Sequence, residues 1–171
     1  MWEFDGTNDY IEFTSGISTP TANLTTVTWV KLDSYLAQNS TIGIHPDSAT
    51  NGGLRIYAGS PTFLGVWMRI SGGSVVSTTT SNGIPLNEWT QITFVHNNGV
   101  GKIYKNGVEV ASGTFSPTPL ALNNVNAWIS RYSGGGYYID GKVGSTMLYN
   151  RALTAEEVGQ NYAAQKQKFQ F

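Results

Sequence analysis

Three tyrosines, Tyr132, Tyr137 and Tyr138, flank the run Gly134-Gly135-Gly136, with Asn126 upstream and Asp140 directly downstream. Tyrosine rings give sugars a flat apolar surface, and amides and carboxylates nearby can take up hydroxyl groups. A glycine-rich loop lets a ligand come close to the backbone. Tyrosine is equally enriched at protein–protein interfaces. Tyr132, Tyr137, Tyr138 and Asn126 are therefore the candidate ligand or interface residues. No other grouping competes with them. His45 and His96 are isolated from each other and from any serine–acid pattern of nucleophilic catalysis. The adjacent pair Glu156-Glu157 has acid/base potential, but its place behind Thr154 reads as a helix cap, with both charges on the favourable end of a helix dipole. The chain has no cysteine, which removes thiol chemistry, zinc–thiolate sites, iron–sulfur clusters and disulfides.

Strands must position these groups. Thr26–Leu32, Phe63–Ile70 and Trp89–His96 are rich in β-branched and aromatic residues, and clusters such as Asn51-Gly52-Gly53, Ser71-Gly72-Gly73 and Asn97-Asn98-Gly99 punctuate the chain. Short strands with frequent turn signals predict an all-β, two-sheet antiparallel sandwich. Within it, Asn106-Gly107 predicts a type I′ hairpin between Lys102–Lys105 and Val108–Val110, because both turn residues tolerate positive φ. One short C-terminal helix is expected after Thr154. Glu157 closes a capping box, Leu153 is a staple partner, and Val158, Tyr162 and Gln165 lie along one face. Among the five tryptophans, Trp2, Trp29, Trp89 and Trp128 are expected in the core, and the face of Trp67 is left open.

Composition excludes several function classes. Charged residues are 12% of the 171 residues and the net charge is −1, so no basic patch exists for nucleic acid or for an anionic membrane surface. The apolar runs are far shorter than the ~20 residues of a membrane span. With 15 Ser, 19 Thr and 14 Asn, the surface is neutral and rich in hydroxyls and amides. Low charge suits a surface buried against neighbours, because charge is depleted at interface cores; a symmetric homo-oligomer is the common form of such burial. The start of the chain lacks the basic and apolar regions of a signal peptide.

Several segments, taken in order, resemble one family. Phe4-Asp5-Gly6-Thr7-Asn8-Asp9-Tyr10-Ile11 resembles the opening strand of laminin-G-like, concanavalin A-like domains. Val27–Lys31, Asn87–Val95 and the hairpin Lys102–Gly113 resemble their next core strands, and Leu148–Val158 resembles the closing strand and helix. The resemblance implies a jelly roll over residues 1–164, followed by a short tail at 165–171. It also implies a functionally mixed family of lectins, adhesion modules, glycanases and virion proteins, so that fold alone leaves function open.

Family members with glycanase activity carry two or three carboxylates alternating on one strand, as a retaining mechanism with its separation of ~5–5.5 Å requires. The eleven acids here do not stand in that pattern, and the expectation is a non-enzymatic protein. Relatives hold structural calcium with loop oxygens, which makes Asp5, Asn8, Asp9 and Asp140 the calcium candidates here. Gly144-Ser145 stand where the family commonly has two acids, and the competing reading has Asp5 and Asp9 capping a turn through their own side chains. The ending Asn161–Phe169 resembles such domains in tailed-bacteriophage structural proteins. That resemblance implies a virion protein made in the bacterial cytoplasm. It would act as capsid decoration or appendage, with the major capsid protein, other virion subunits and host-surface glycan as partners. The alternative is a soluble carbohydrate-binding lectin.

Overall fold

The computed structural model describes residues 1–36, 40–48, 50–72, 75–116 and 118–169. Alternation of apolar and polar residues builds two antiparallel sheets. The first has the order β1 (Trp2–Asp5), β13 (Asp140–Tyr149), β3 (Leu24–Leu32), β9 (Thr90–Asn97), β10 (Val100–Lys105), β11 (Val108–Thr114). The second runs β2 (Ile11–Ile17), β12 (Val125–Ile129), β5 (Ile44–Ser48), β6 (Gly52–Ser60), β7 (Phe63–Arg69), β8 (Val75–Thr80), with β4 (Ser40–Ile42) also paired to β6. The core lies between them. Leu54, Ile56, Leu64, Val66, Met68, Ala127 and Ile129 of the second sheet meet Leu24, Val30, Ile92, Phe94, Ile103 and Val143 of the first. This is the expected jelly-roll sandwich.

The hairpin forms at the expected turn, with Asn106 and Gly107 at φ 52° and 81°. Helix α1 (Ala155–Gln165) begins at Thr154, whose Oγ1 accepts from the Glu157 N–H at 3.2 Å. The Thr154 N–H donates to the Glu157 carboxylate at 2.8 Å and completes the capping box. The Arg151 fork on Glu157 holds that carboxyl down at about 2.

The helix lies on the outer face of the first sheet. Leu153 and Val158 close over Val95 and Tyr104. Residues 166–168 make a 3₁₀ turn, and Phe169 folds back to stack on Trp29 at 4.5 Å.

The tryptophans bear out half of one expectation: Trp29 and Trp128 are buried, though outside the layer between the sheets, and Trp2 and Trp89 are not. Phe4 takes the inward position on β1, which leaves Trp2 pointing outward and 47% exposed. Trp29 is buried, but under the helix, where its Nε1–H donates to Gln165 at 2.9 Å. Trp89 is half-buried beside Phe169. Trp128 is buried on the outward face of the second sheet, flanked in sequence by the core residues Ala127 and Ile129.

Candidate functional site

The outward face of the second sheet follows from the same period of two. On β5, β6 and β7 the residues alternating with Ile44, Leu54, Ile56, Val66 and Met68 are His45, Asp47, Arg55, Tyr57, Trp67 and Arg69. Register aligns them, with Trp128 opposite His45 and Arg55 opposite Trp67. Gly65 faces Tyr57, and a Cβ there would sit 2.5 Å from the tyrosine ring. The glycine leaves the ring room to lie across the strand.

The loop 130–138 roofs this floor. Tyr132 stacks on the His45 ring at 5.5 Å, and Trp67 meets the same imidazole edge-on at 5.4 Å. The Arg55 guanidinium lies under three rings, 5.2 Å from Tyr57, 5.1 Å from Tyr132 and 4.6 Å from Tyr137. Cation–π attraction of this kind strengthens where water is excluded, and Arg55 is only 7% exposed. Tyr137 is 37% exposed to solvent. Ser130 and Tyr137 both hold positive φ, 65° and 59°. For a tyrosine this is a rare, strained conformation that costs of order 1–3 kcal/mol and concentrates at functional sites.

Asp47 organises the charges. Arg69 grips it with both Nε and Nη2, the latter at 2.9 Å, and the Ser133 hydroxyl donates to it at 2.5 Å. Burial pushes the Asp47 carboxyl up, but these donors outweigh burial and hold it below its ordinary value. Burial lowers the His45 imidazole to about 4, against the opposing pull of the Leu54 carbonyl and Asp47. His45 is therefore neutral at pH 7. Its Nδ1 donates to the Leu54 carbonyl at 2.7 Å, which leaves Nε2 as an acceptor. Among the described residues, His45 Nε2 and Trp128 Nε1 are buried without a hydrogen-bond partner. One is an acceptor and the other a donor, the pair of functions a hydroxyl group can answer.

A family model described as the concanavalin A-like lectin/glucanases superfamily matches residues 5–159. The chain belongs to this superfamily. Its concanavalin A-like fold is shared with a native heptameric SAP-like pentraxin from Limulus polyphemus, at 17% identity and TM-score 0.70, covering 92% of this chain and 78% of the pentraxin. A Ruminococcus gnavus IT-sialidase CBM40 bound to α2,3-sialyllactose matches at 14% identity and TM-score 0.69, covering 91% and 97%. Domain 4 of an extracellular arabinanase from Geobacillus stearothermophilus, in complex with arabinotriose, matches at 21% identity and TM-score 0.67, covering 88% and 71%. No sequence among the curated proteins matches the chain.

In this concanavalin A-like domain the sequence candidates separate. Tyr132 and Tyr137 come together, 5.6 Å apart and edge-to-face, over Arg55. Tyr138 turns away to Tyr10, 6.5 Å distant, where Arg131 lies over the Tyr10 ring. Asn126 is exposed on β12, two residues before Trp128 and on the same face by alternation.

Two of the calcium candidates, Asp5 and Asp9, make the side-chain hydrogen bonds of the turn reading. Asp5 Oδ1 accepts from the Thr7 and Asn8 N–H groups at 2.8 and 3.4 Å, and Asp9 accepts from the Asp5 N–H at 3.2 Å. Asp140 lies across from Asp5 and accepts from the Ser34 hydroxyl at 2.6 Å. Among the described residues no group of three or more histidine, aspartate or glutamate side chains stands together as metal ligands.

The floor residues His45, Asp47, Arg55, Trp67, Arg69 and Trp128 were missed in the sequence. Their signal was present as charged or aromatic residues at every second position of otherwise aliphatic strands. The cluster holds a serine, a histidine and an aspartate, but in an order unsuited to nucleophilic catalysis. Ser133 donates to Asp47, and His45 Nε2 stands 3.9 Å from the same carboxylate.

Proposed function

We propose that the chain is a non-enzymatic carbohydrate-binding module that takes its glycan on the outward face of the second sheet, against Tyr137 and Tyr132. One observation carries this reading. A floor of aromatic and charged side chains, with a buried acceptor and a buried donor unanswered, lies under a strained loop whose tyrosine reaches solvent. Sugars call for aromatic surface beside exact donors and acceptors. The neighbours described with bound sialyllactose and arabinotriose support it as proteins of the same fold. A glycan array with the wild type and Tyr137→Ala tests it. Specific binding lost in the variant is the expected result, and a blank array with the wild type overturns it.

A second reading rests on a separate surface. Met1, Trp2, Trp89 and Phe169 line an apolar groove of about 400 Å³ near the edge of the first sheet, with Met1 and Trp2 largely exposed. Together with a charged fraction of only 12%, this surface supports a role as a bacteriophage decoration or appendage protein. The chain would then dock on virion subunits through this groove and present the tyrosine loop to host glycan. Antibody labelling of purified virions in negative stain tests that role, and unlabelled particles refute it.

A further inference from the structure

We propose that the glycan taken by this face is bound as a run of several sugar residues, with a second platform made by Tyr10, Tyr138 and Arg131 at the β2 edge of the sheet. The inference rests on the carbohydrate-binding reading above and names the kind of glycan within it. Its starting point is the tyrosine loop, whose adjacent residues Tyr137 and Tyr138 send their rings to different places. Tyr137 joins Tyr132 over Arg55, which belongs to β6. Tyr138 meets Tyr10, the residue just before β2. Glu12, opposite Trp128, marks the outward side of β2, and Tyr10 lies two positions before it, on the same side by alternation. In the second sheet β12 and β5 stand between β2 and β6. The two strands are therefore three spacings apart, about 14 Å. That is too far for one sugar ring and within the length of a short oligosaccharide.

The ring pair at β2 has the properties of a platform. Tyr10 is 43% exposed, more than Tyr137. The Tyr138 ring lies 6.5 Å away and is tilted by 34°, so the two rings form an open aromatic corner. The Arg131 guanidinium sits over Tyr10 at 4.4 Å and steadies its ring by cation–π attraction. Among the described residues the Arg131 Nε is buried without a hydrogen-bond partner, which leaves donor capacity unused in the corner. A pair that served only to pin the loop would gain by burying both rings. Beside the corner, Glu12 and Asn126 are exposed on β2 and β12 and offer acceptors and donors to sugar hydroxyls. Two aromatic contacts on one chain reinforce each other, because the first holds the rest of the chain at high effective concentration near the second. Affinity then rises with chain length until both platforms are covered.

The test places the wild-type chain on an array of cello-, xylo-, arabino- and malto-oligosaccharides of one to six residues, beside short terminal epitopes. Titration calorimetry follows with each series that binds. Affinity is expected to rise about 10-fold from the disaccharide to the length at which it levels off, the range of one further aromatic contact. Tyr10→Ala, checked for folding by near-ultraviolet circular dichroism, should lose that rise, and Tyr10→Phe should keep it, because the ring makes the contact. Tyr10→Leu takes the place of the alanine variant if that chain does not fold. Binding confined to the short epitopes, or independent of length in every series bound, overturns the inference and leaves carbohydrate binding standing. A rise undiminished without the Tyr10 ring also overturns it. A blank array overturns both readings.

Discussion

The two outer faces of the sandwich are built by the same strand alternation and end differently. On the first sheet, Trp29 is covered by α1, stacked between Tyr162 at 5.7 Å and Phe169 at 4.5 Å, and its one polar atom is satisfied by Gln165. On the second, Trp128 is also buried, yet its indole nitrogen finds no hydrogen-bond partner among the described residues, and the neighbouring His45 is covered by Tyr132 of a glycine-rich loop in place of a helix. A helix brings its own backbone hydrogen bonds and a long apolar stripe, so it closes a face for good. A loop held by Ser133 on Asp47 and by rings on a guanidinium closes a face with polar groups still in it. The contrast separates a face closed for stability from the face on which glycan binding is proposed.

The largest test of this contrast is Trp29→Ala. It removes a fully buried indole, two stacking partners and a hydrogen bond, and is expected to cost about 3–5 kcal/mol in urea unfolding. Glycan binding by the molecules that remain folded should be unchanged. On the opposite face, Asp47→Ala takes the carboxylate from the half-buried Arg69 and frees Ser133. A loss of about 3 kcal/mol is expected, together with loss of binding because the loop loses its anchor. If Asp47→Ala alters stability alone, the loop is a structural cover like the helix, and the distinction drawn here fails.

Much of this architecture was legible in the sequence, and the parts that were not share a physical reason. The hairpin at Asn106-Gly107 and the capping box at Thr154 are local, since each is set by residues within a few positions. The tyrosine loop was visible as composition, and the sheets as strand pattern. What needs tertiary pairing was hidden. Asp47 meets Arg69 across 22 residues and Ser133 across 86, and no spacing rule connects them. Trp2 was expected inside because tryptophan usually is, but β1 is an edge strand whose inward slot Phe4 already fills. Tyr138 follows Tyr137 directly, yet its ring goes to Tyr10 while Tyr137 stands over Arg55, a separation that no spacing rule shows.

Acid should find the second face before the first. The folded-state pKa of His45, lowered to about 4, lies below the unfolded value near 6.5. Between those values the unfolded chain binds a proton that the folded chain refuses, so stability falls as pH drops through this window. The expected loss is about 2–3 kcal/mol, read as a falling midpoint in urea titrations at pH 7, 5.5 and 4. Asp47, held below its ordinary value, acts in the same direction further down, its contribution being lost as pH falls through its folded pKa. His45→Gln should flatten the upper part of the profile and leave the smaller contribution of His96, whose imidazole burial also lowers. A profile unchanged in His45→Gln would mean that the imidazole is not held neutral beneath Tyr132.

The smallest expected effect separates the two uses most sharply. Tyr137 sits at φ 59°, where glycine is at ease and any other residue without an amide or carboxylate is strained. Tyr137→Gly and Tyr137→Ala remove the same ring from Arg55 and from solvent. If the ring is what binds, both variants lose the glycan equally. Their stabilities should differ, the glycine variant unfolding about 1 kcal/mol later because the backbone is relieved. The stability difference reports the strain at φ 59°, whatever the loop is for, and the loss of glycan in both variants reports the ring. Glycan binding retained in either variant would take the sugar platform away from Tyr137, and a glycine variant no more stable than alanine would mean that the backbone at this position is not strained.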